Sequence, residues 1–146
     1  MFTRNQIINY SLKRGCTREL TQKGMVTTPS GDVFCIATLS GDYPDTIYYH
    51  NGLLSPKEVH YCGVYSKNAP NPFAMNNHET RKNVAVTKTD GKTKFVYYFE
   101  KTSYSLDQYY FHGRYKYIKD KMIKSNKEDH EFDVLFHLMF VDRPIL

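Results

Sequence analysis

The chain has 146 residues, a net charge of +5 at pH 7 and 40% hydrophobic residues. This length fits one domain with its own core, and the composition argues against a disordered chain. No apolar run approaches the ~18 residues of a membrane-spanning helix. The three cysteines form no C-x-x-C pair, which argues against a disulfide framework and a zinc knuckle. The positive charge favours a polyanionic partner, with simple solubility as the alternative.

The N-terminal part of the chain predicts one helix and one buried strand. Thr3 can cap a helix from about Arg4 to Arg14, and Gly15 is placed to end it. Residues 15–32 are rich in turn formers. Val33 to Ala37 is a continuous apolar run, which is typical of a buried strand.

The middle of the chain predicts short strands separated by turns. Ile47 to Tyr49 predicts a strand that is closed by the turn Asn51-Gly52. Val59 to Tyr65 predicts the next strand, and an irregular loop follows it. Phe73 to Arg81 then predicts one or two helical turns.

The C-terminal half predicts longer strands. Val84 to Thr89 and Thr93 to Glu100 flank an Asp-Gly turn, which indicates a hairpin. Tyr109 to Ile118 alternates like a half-buried strand. Residues 119–131 are charged and predict a connector, and Phe132 to Val141 is apolar on both faces and predicts a central strand.

These elements predict an α+β fold that is mainly β, with an N-terminal helix and a short internal helix. Six to eight strands in one small domain favour a sheet that curls into a barrel or a half-barrel. We expect one domain over residues 1–146, with a helix-and-turn region over 1–32 and the curled core over 33–141.

The most informative stretch combines two tyrosines, an acid and several glycines. Gly41-Asp42-Tyr43-Pro44-Asp45 is followed by Asn51-Gly52 and then by His60-Tyr61-Cys62-Gly63. Two aromatic rings on separate loops can clamp a planar ligand, and a carboxylate can accept a hydrogen bond from an amino group on its edge. A cytosine lifted out of a DNA duplex is such a ligand.

The order of these segments resembles the SRA (YDG) family of modified-cytosine readers, over roughly residues 33–141. That family shows a Gly-Tyr-x-Asp segment, a glycine turn and an aromatic-Tyr-x-Gly segment. Asn71-Pro72-Phe73-Ala74-Met75 is similar to its Asn-x-Ala-Leu segment, with one residue inserted. The resemblance implies a crescent-shaped, PUA-like β-barrel flanked by helices. It also implies flipping of a methylated or hydroxymethylated cytosine from double-stranded DNA into an aromatic pocket.

The resemblance also implies which residues form the pocket. Tyr43 and Tyr61 would stack on the two faces of the base, and Asp45 would accept a hydrogen bond from cytosine N4. The alternative is two ordinary sheet tyrosines and a turn aspartate. The family commonly has an acid one position later, where this chain has Thr46. The predicted pocket comprises Ser40, Gly41, Tyr43, Asp45, Thr46, Tyr61, Cys62 and Gly63.

Basic and polar residues near the predicted pocket are the expected DNA contacts. They are Lys57, Lys67, Asn76, Asn77, His78, Arg81 and Lys82. The three residues from Asn76 to His78 would enter a groove and fill the gap left by the flipped base, with a capped loop as the alternative. The cations would follow the phosphates, with solvated surface charges as the alternative.

The sequence shows no Walker loop, no G-x-G-x-x-G motif and no convincing PD-(D/E)xK arrangement. His137 is interpreted as a satisfied core histidine. We therefore expect a reader without a catalytic centre, a metal or another cofactor. Two alternatives stay open: a small metal-dependent nuclease that uses His50, His78 or Asp45, and a PUA-like RNA-binding domain.

The resemblance further implies the targeting domain of a modification-dependent restriction system. Its partners would be double-stranded DNA with a modified cytosine and a nuclease domain or subunit, and no membrane is implied. Cysteine usage fits a reducing compartment, and the N-terminus lacks the apolar segment of a secretory signal. We expect a cytoplasmic, DNA-associated prokaryotic protein.

Overall fold

The computed structural model describes residues 1–16, 24–37, 46–49, 56–102, 106–125 and 127–146, and only the backbone at 46–49 and at Pro56. These residues form two helices and seven strands. The helices are α1 (Arg4–Lys13) and α2 (Thr80–Thr87). The strands are β1 (Met25–Thr27), β2 (Val33–Ala37), β3 (Thr46–Tyr49), β4 (Pro56–Cys62), β5 (Val96–Lys101), β6 (Tyr109–Lys124) and β7 (Phe132–Asp142).

All seven strands belong to one sheet, in the order β1-β2-β5-β6-β7-β4-β3. β2 and β5 run parallel, and every other neighbouring pair is antiparallel. The pairing of β6 shifts register against β5 and twice against β7, and such irregularities bend strands and increase their twist. The sheet is open and curled, so the predicted class, α+β and mainly β, is confirmed.

The sheet separates two hydrophobic clusters because side chains alternate between its faces. On β2, Val33 and Cys35 belong to the first cluster, together with Val86 of α2. Phe34 of the same strand belongs to the second cluster, together with Ile7 of α1. The two helices therefore cover opposite faces of the sheet.

Helix α1 forms where the sequence predicts it. Thr3 and Gln6 make a capping box, in which the Thr3 side chain accepts from the Gln6 backbone and the Gln6 side chain accepts from the Thr3 backbone. Gly15 follows the helix with φ +94°, a conformation that suits glycine. Neither helix of the described residues has the length or apolarity of a membrane span.

The first strand of the predicted hairpin, Val84 to Thr89, is wrong, since most of that segment belongs to helix α2, whereas the second strand of the hairpin largely coincides with β5. The buried face of this helix includes residues spaced three apart, namely Thr80, Asn83 and Val86. Two of these are polar, so the sequence does not display an apolar helical face. The internal helix exists, but it begins seven residues after the predicted start at Phe73.

The predicted connector at residues 119–131 is also partly wrong. β6 continues to Lys124, where it pairs with Phe132 at the start of β7. Lys119 and Lys121 are exposed on this extension, which explains why the segment looks like a solvated loop. β7 lies between β6 and β4, which confirms the prediction of a central strand.

Candidate functional site

A cavity of about 550 Å³ lies where the C-terminal end of β4 meets the start of α1, the β1–β2 edge and the segment before β7. Three of the predicted pocket residues, Tyr61, Cys62 and Gly63, are in its wall. The other described lining residues are Arg4, Gly24, Met25, Ile36, Val64, Tyr65, Glu79, Lys127, Asp129, His130 and Asp133.

The ring of Tyr61 is held rigidly in the cavity wall. Its hydroxyl donates to the carbonyl oxygens of Gly24 at 2.9 Å and Ile36 at 3.3 Å. The ring meets Tyr98 edge to face, with centroids 5.9 Å apart and an interplanar angle of 87°. The residue is 6% exposed. These contacts fix the plane of the ring before any ligand arrives, which reduces the ordering that binding requires.

Gly63 lies at a point of close packing between β4, β7 and α2. Its backbone nitrogen donates to the carbonyl oxygen of Val134 at 2.8 Å. A Cβ at this position would lie 2.4 Å from Val134 Cγ1 and 2.7 Å from Asn83 Oδ1. The structure therefore requires glycine after the Tyr61-Cys62 pair, and the reason is packing.

Asn83 of α2 fixes the segment that follows Tyr61. Its Oδ1 accepts from the Val64 nitrogen at 2.9 Å, and its Nδ2 donates to the carbonyl oxygens of Val64 and Pro72 at 2.9 and 2.8 Å. Asn83 is fully buried. Asn83-Val84-Ala85-Val86 also matches the Asn-x-Ala-Leu pattern without an insertion, except that Val86 stands in place of the leucine.

A histidine flanked by two acids forms the polar side of the cavity. His130 Nδ1 lies 2.6 Å from Asp129 Oδ1, and His130 Nε2 lies 2.5 Å from Asp133 Oδ1. The His130 ring stacks on Tyr65 with centroids 3.8 Å apart. Asp133 is 4% exposed, and its Oδ2 has no hydrogen-bond partner among the residues that the structure describes. Sequence reasoning missed this group, although acids on both sides of one histidine within five residues were a usable signal.

Comparison of the whole fold with known proteins identifies the architecture. No family model matches the sequence, and no curated protein matches it either. Among solved structures, the SUVH5 SRA–hemimethylated CG DNA complex aligns over 100% of this chain and 89% of the SUVH5 chain. That alignment has a TM-score of 0.61 and 15% sequence identity.

The chain has an SRA-like fold.

Two further structures agree with this assignment. SUVH5 SRA bound to fully hydroxymethylated CG DNA aligns with a TM-score of 0.51 and 16% identity, over 86% of this chain and 79% of that one. The MspJI restriction endonuclease in complex with a 27-mer oligonucleotide aligns with a TM-score of 0.51 and 10% identity, over 81% of this chain and 31% of MspJI. The fold that the sequence resemblance implied is confirmed.

The first half of the predicted pocket lies outside the residues that the structure describes. Ser40, Gly41, Tyr43 and Asp45 belong to that part. Thr46 is described by its backbone alone, which pairs with His60 at the β3–β4 ladder. Their roles in the pocket stay predictions.

Five of the predicted DNA contacts are exposed at the surface, and Lys82 is buried. Lys57, Lys67, Asn76, His78 and Arg81 are exposed residues of the described chain. Lys82, by contrast, is 3% exposed, and its ammonium lies 3.3 Å from Glu79 Oε2. Buried in this ion pair, Lys82 does not offer its charge to a phosphate, so this part of the prediction is corrected.

Asn77 has a structural task in the SRA-like fold. Its Oδ1 accepts from the backbone nitrogens of Glu79 and Thr80 at 2.9 and 3.1 Å, and its Nδ2 donates to Ser66 Oγ at 3.2 Å. The structure therefore favours the capped-loop alternative for this residue.

Arg81, Lys88 and Lys94 line a shallow groove of about 160 Å³, which gathers three cations on one surface.

His130 makes the stability of the SRA-like fold depend on pH. Burial lowers the pKa of His130, but the hydrogen bonds and charges of Asp133 and Asp129 outweigh it, and the net pKa is raised above 6.5. A raised pKa means that the protonated ring stabilises the fold fully below pH 6.5, and that this contribution is lost as the pH rises through the folded-state pKa.

We therefore expect His130→Asn to destabilise the protein more at pH 6 than at pH 9. Urea unfolding at both pH values measures the difference. His78→Asn, at an exposed position of another segment, is the control and should show no such pH dependence. Equal destabilisation at the two pH values would show that His130 acts through packing against Tyr65 alone.

Proposed function

We propose that this chain binds double-stranded DNA that carries a modified cytosine and takes the flipped base into the cavity beside Tyr61. The observation that carries the proposal is the position of this cavity in an SRA-like fold, at the Tyr61-Cys62-Gly63 segment. The SUVH5 SRA domain, which shares the fold, is seen in complex with methylated and with hydroxymethylated DNA.

The anchored ring of Tyr61 supports a stacking role. A base that stacks on an aromatic side chain gains about 1–3 kcal/mol. Flipping a base costs a few kcal/mol, so one ring alone offsets only part of it. In the proposal, Tyr43 supplies the second ring from the other side of the base.

The buried carboxylate of Asp133 gives the cavity a second candidate for reading the edge of the base, next to the predicted Asp45. Asp133 Oδ2 has no hydrogen-bond partner among the described residues, and a buried acceptor without a partner costs about 1–3 kcal/mol. The N4 amino group of a cytosine would satisfy this oxygen. Thymine presents a carbonyl oxygen at the same position and would be repelled.

The exposed cations of the described residues support a nucleic-acid partner. Arg4 and Lys127 line the cavity together with the acids, and Lys57, Lys67 and Arg81 are exposed on the same chain. In the proposal the acids receive the amino edge of the base, and the cations approach the phosphates. The net charge of +5 supports the same assignment.

We further propose that residues 1–146 act as one targeting domain of a modification-dependent restriction system in a prokaryotic cell. The likeness to MspJI supports this setting, and the aligned region there is 31% of the MspJI chain. In this proposal the domain supplies affinity and selectivity, and a nuclease domain or subunit elsewhere cuts the DNA.

Fluorescence polarisation with matched duplexes tests the proposal. Three duplexes of one sequence carry a single cytosine, 5-methylcytosine or 5-hydroxymethylcytosine, and binding is measured at about 0.1 M salt, where non-specific phosphate contacts are partly screened. We expect at least one modified duplex to bind about tenfold or more tightly than the unmodified one. Equal affinities for all three, or stronger binding to a structured RNA competitor, would contradict the proposal.

A further inference from the structure

Three metal-binding side chains meet on the β4–β7 ladder, away from the face of β4 that carries Tyr61. His60 on β4 is the direct cross-strand partner of His137 on β7, and Glu58 lies two residues before His60 on the same face of β4. One ligand atom from each of the three residues lies within 4.8 Å of the other two. The fold therefore brings two imidazoles and a carboxylate together from two adjacent strands.

The distances in this cluster fit a shared cation better than direct hydrogen bonds. Glu58 Oε1 lies 3.5 Å from His60 Nε2 and 3.5 Å from His137 Nδ1, both longer than a good N–H···O bond. Zinc bonds to nitrogen and oxygen are about 2.0–2.1 Å long, which puts tetrahedral ligand atoms about 3.4 Å apart. The two distances from Glu58 are thus already near the edge length of a tetrahedral site, and the two histidine nitrogens lie within 4.8 Å of each other.

The environment of the two histidines suits metal ligands. Both are about nine-tenths buried, and their ring centroids lie 3.8 Å apart. His137 is buried, as expected for a core histidine, but its Nε2 has no hydrogen-bond partner in the described part of the chain.

The geometry points to a binding site for a first-row divalent cation, zinc above all, formed by Glu58, His60 and His137. Two imidazoles and one carboxylate are a donor set that zinc uses with water in the fourth position. The half-exposed side chain of Glu58 leaves the site open to solvent. A bound ion would join β4 to β7 one residue before Tyr61. This inference is independent of the proposed function.

The test uses the whole chain, stripped of metal with a chelator and titrated with Co²⁺ and with Zn²⁺. We expect one equivalent to bind, with the visible absorption of four-coordinate Co²⁺ and its displacement by Zn²⁺. Zinc at about 100 times its Kd should raise Tm by about 5–10 °C. Absence of binding at a millimolar excess of either ion would overturn the inference.

Variants locate the ion. Glu58→Gln, at a half-exposed position, should fold and should weaken Zn²⁺ binding by about 100-fold, since even the loss of a residue that only orients a ligand costs about 10- to 100-fold. His60→Ala and His137→Ala should do the same, and His78→Ala, at an exposed position of another segment, should change nothing. Unchanged affinity in the Glu58, His60 and His137 variants would place any bound ion elsewhere and overturn the assignment.

Discussion

Tyr61→Leu should lower the preference for modified over unmodified duplexes by about tenfold or more, because the base loses a stacking surface worth about 1–3 kcal/mol. Leucine keeps apolar bulk where alanine would open a void in the buried wall. Salt-dependent background binding to any duplex should remain, since it depends on phosphate contacts. Fluorescence polarisation with the modified and unmodified duplexes measures both quantities.

Two companion variants separate stacking from stability. Tyr61→Phe loses the hydrogen bonds to Gly24 and Ile36 but keeps the ring, so it should retain most of the preference. Tyr97→Leu removes a tyrosine of similar burial from the opposite cluster, where it stacks on Phe34, and should destabilise the fold without changing the preference. If Tyr61→Leu prefers modified over unmodified duplexes as strongly as the protein without a substitution does, the stacking role of Tyr61 is wrong.

Asn83→Ala should destabilise the fold by about 3 kcal/mol or more. The substitution removes three hydrogen bonds in a fully buried place and leaves backbone groups of Val64 and Pro72 without their partner. Each buried polar group left unpaired costs about 1–3 kcal/mol. Urea unfolding, extrapolated to water, measures the change in the free energy of unfolding.

Asn76→Ala is the matched control for this prediction. Asn76 is an exposed asparagine, and a surface substitution of this kind is expected to change stability by no more than about 0.5 kcal/mol. A loss below about 1 kcal/mol for Asn83→Ala would mean that water replaces the amide, and that the segment after Tyr61 does not depend on α2.

The sequence predicts well the strands that are buried in the sheet, because burial gives them a continuous apolar run. β2 is buried at all five positions and β7 lies in the middle of the sheet, so both stand out as apolar runs. Helix α2 does not, because Thr80 and Asn83 face the interior and satisfy polar groups there. The buried polar residue Asn83 is explained by its hydrogen bonds to Val64 and Pro72, which lie more than ten residues earlier in the chain.

The difference between local patterns and contacts of distant residues also explains which parts of the cavity the sequence predicts and which it misses. Tyr61 and Gly63 belong to one short motif, and the structure places both in the cavity wall. Asp133 and His130 reach that wall because β7 runs antiparallel to β4, with Leu135 beside Cys62. The metal cluster has the same origin, since the cross-strand pairing of His60 with His137 joins residues far apart in the chain.

The central claim is that a modified cytosine leaves the duplex and enters the cavity beside Tyr61. A crystal structure of the chain with a duplex that carries one 5-methylcytosine tests it most directly. We predict that the modified base lies outside the helix, with its ring against Tyr61 and its N4 amino group hydrogen-bonded to a carboxylate of the cavity. A bound duplex in which the modified base stays paired and stacked inside the helix would contradict the claim.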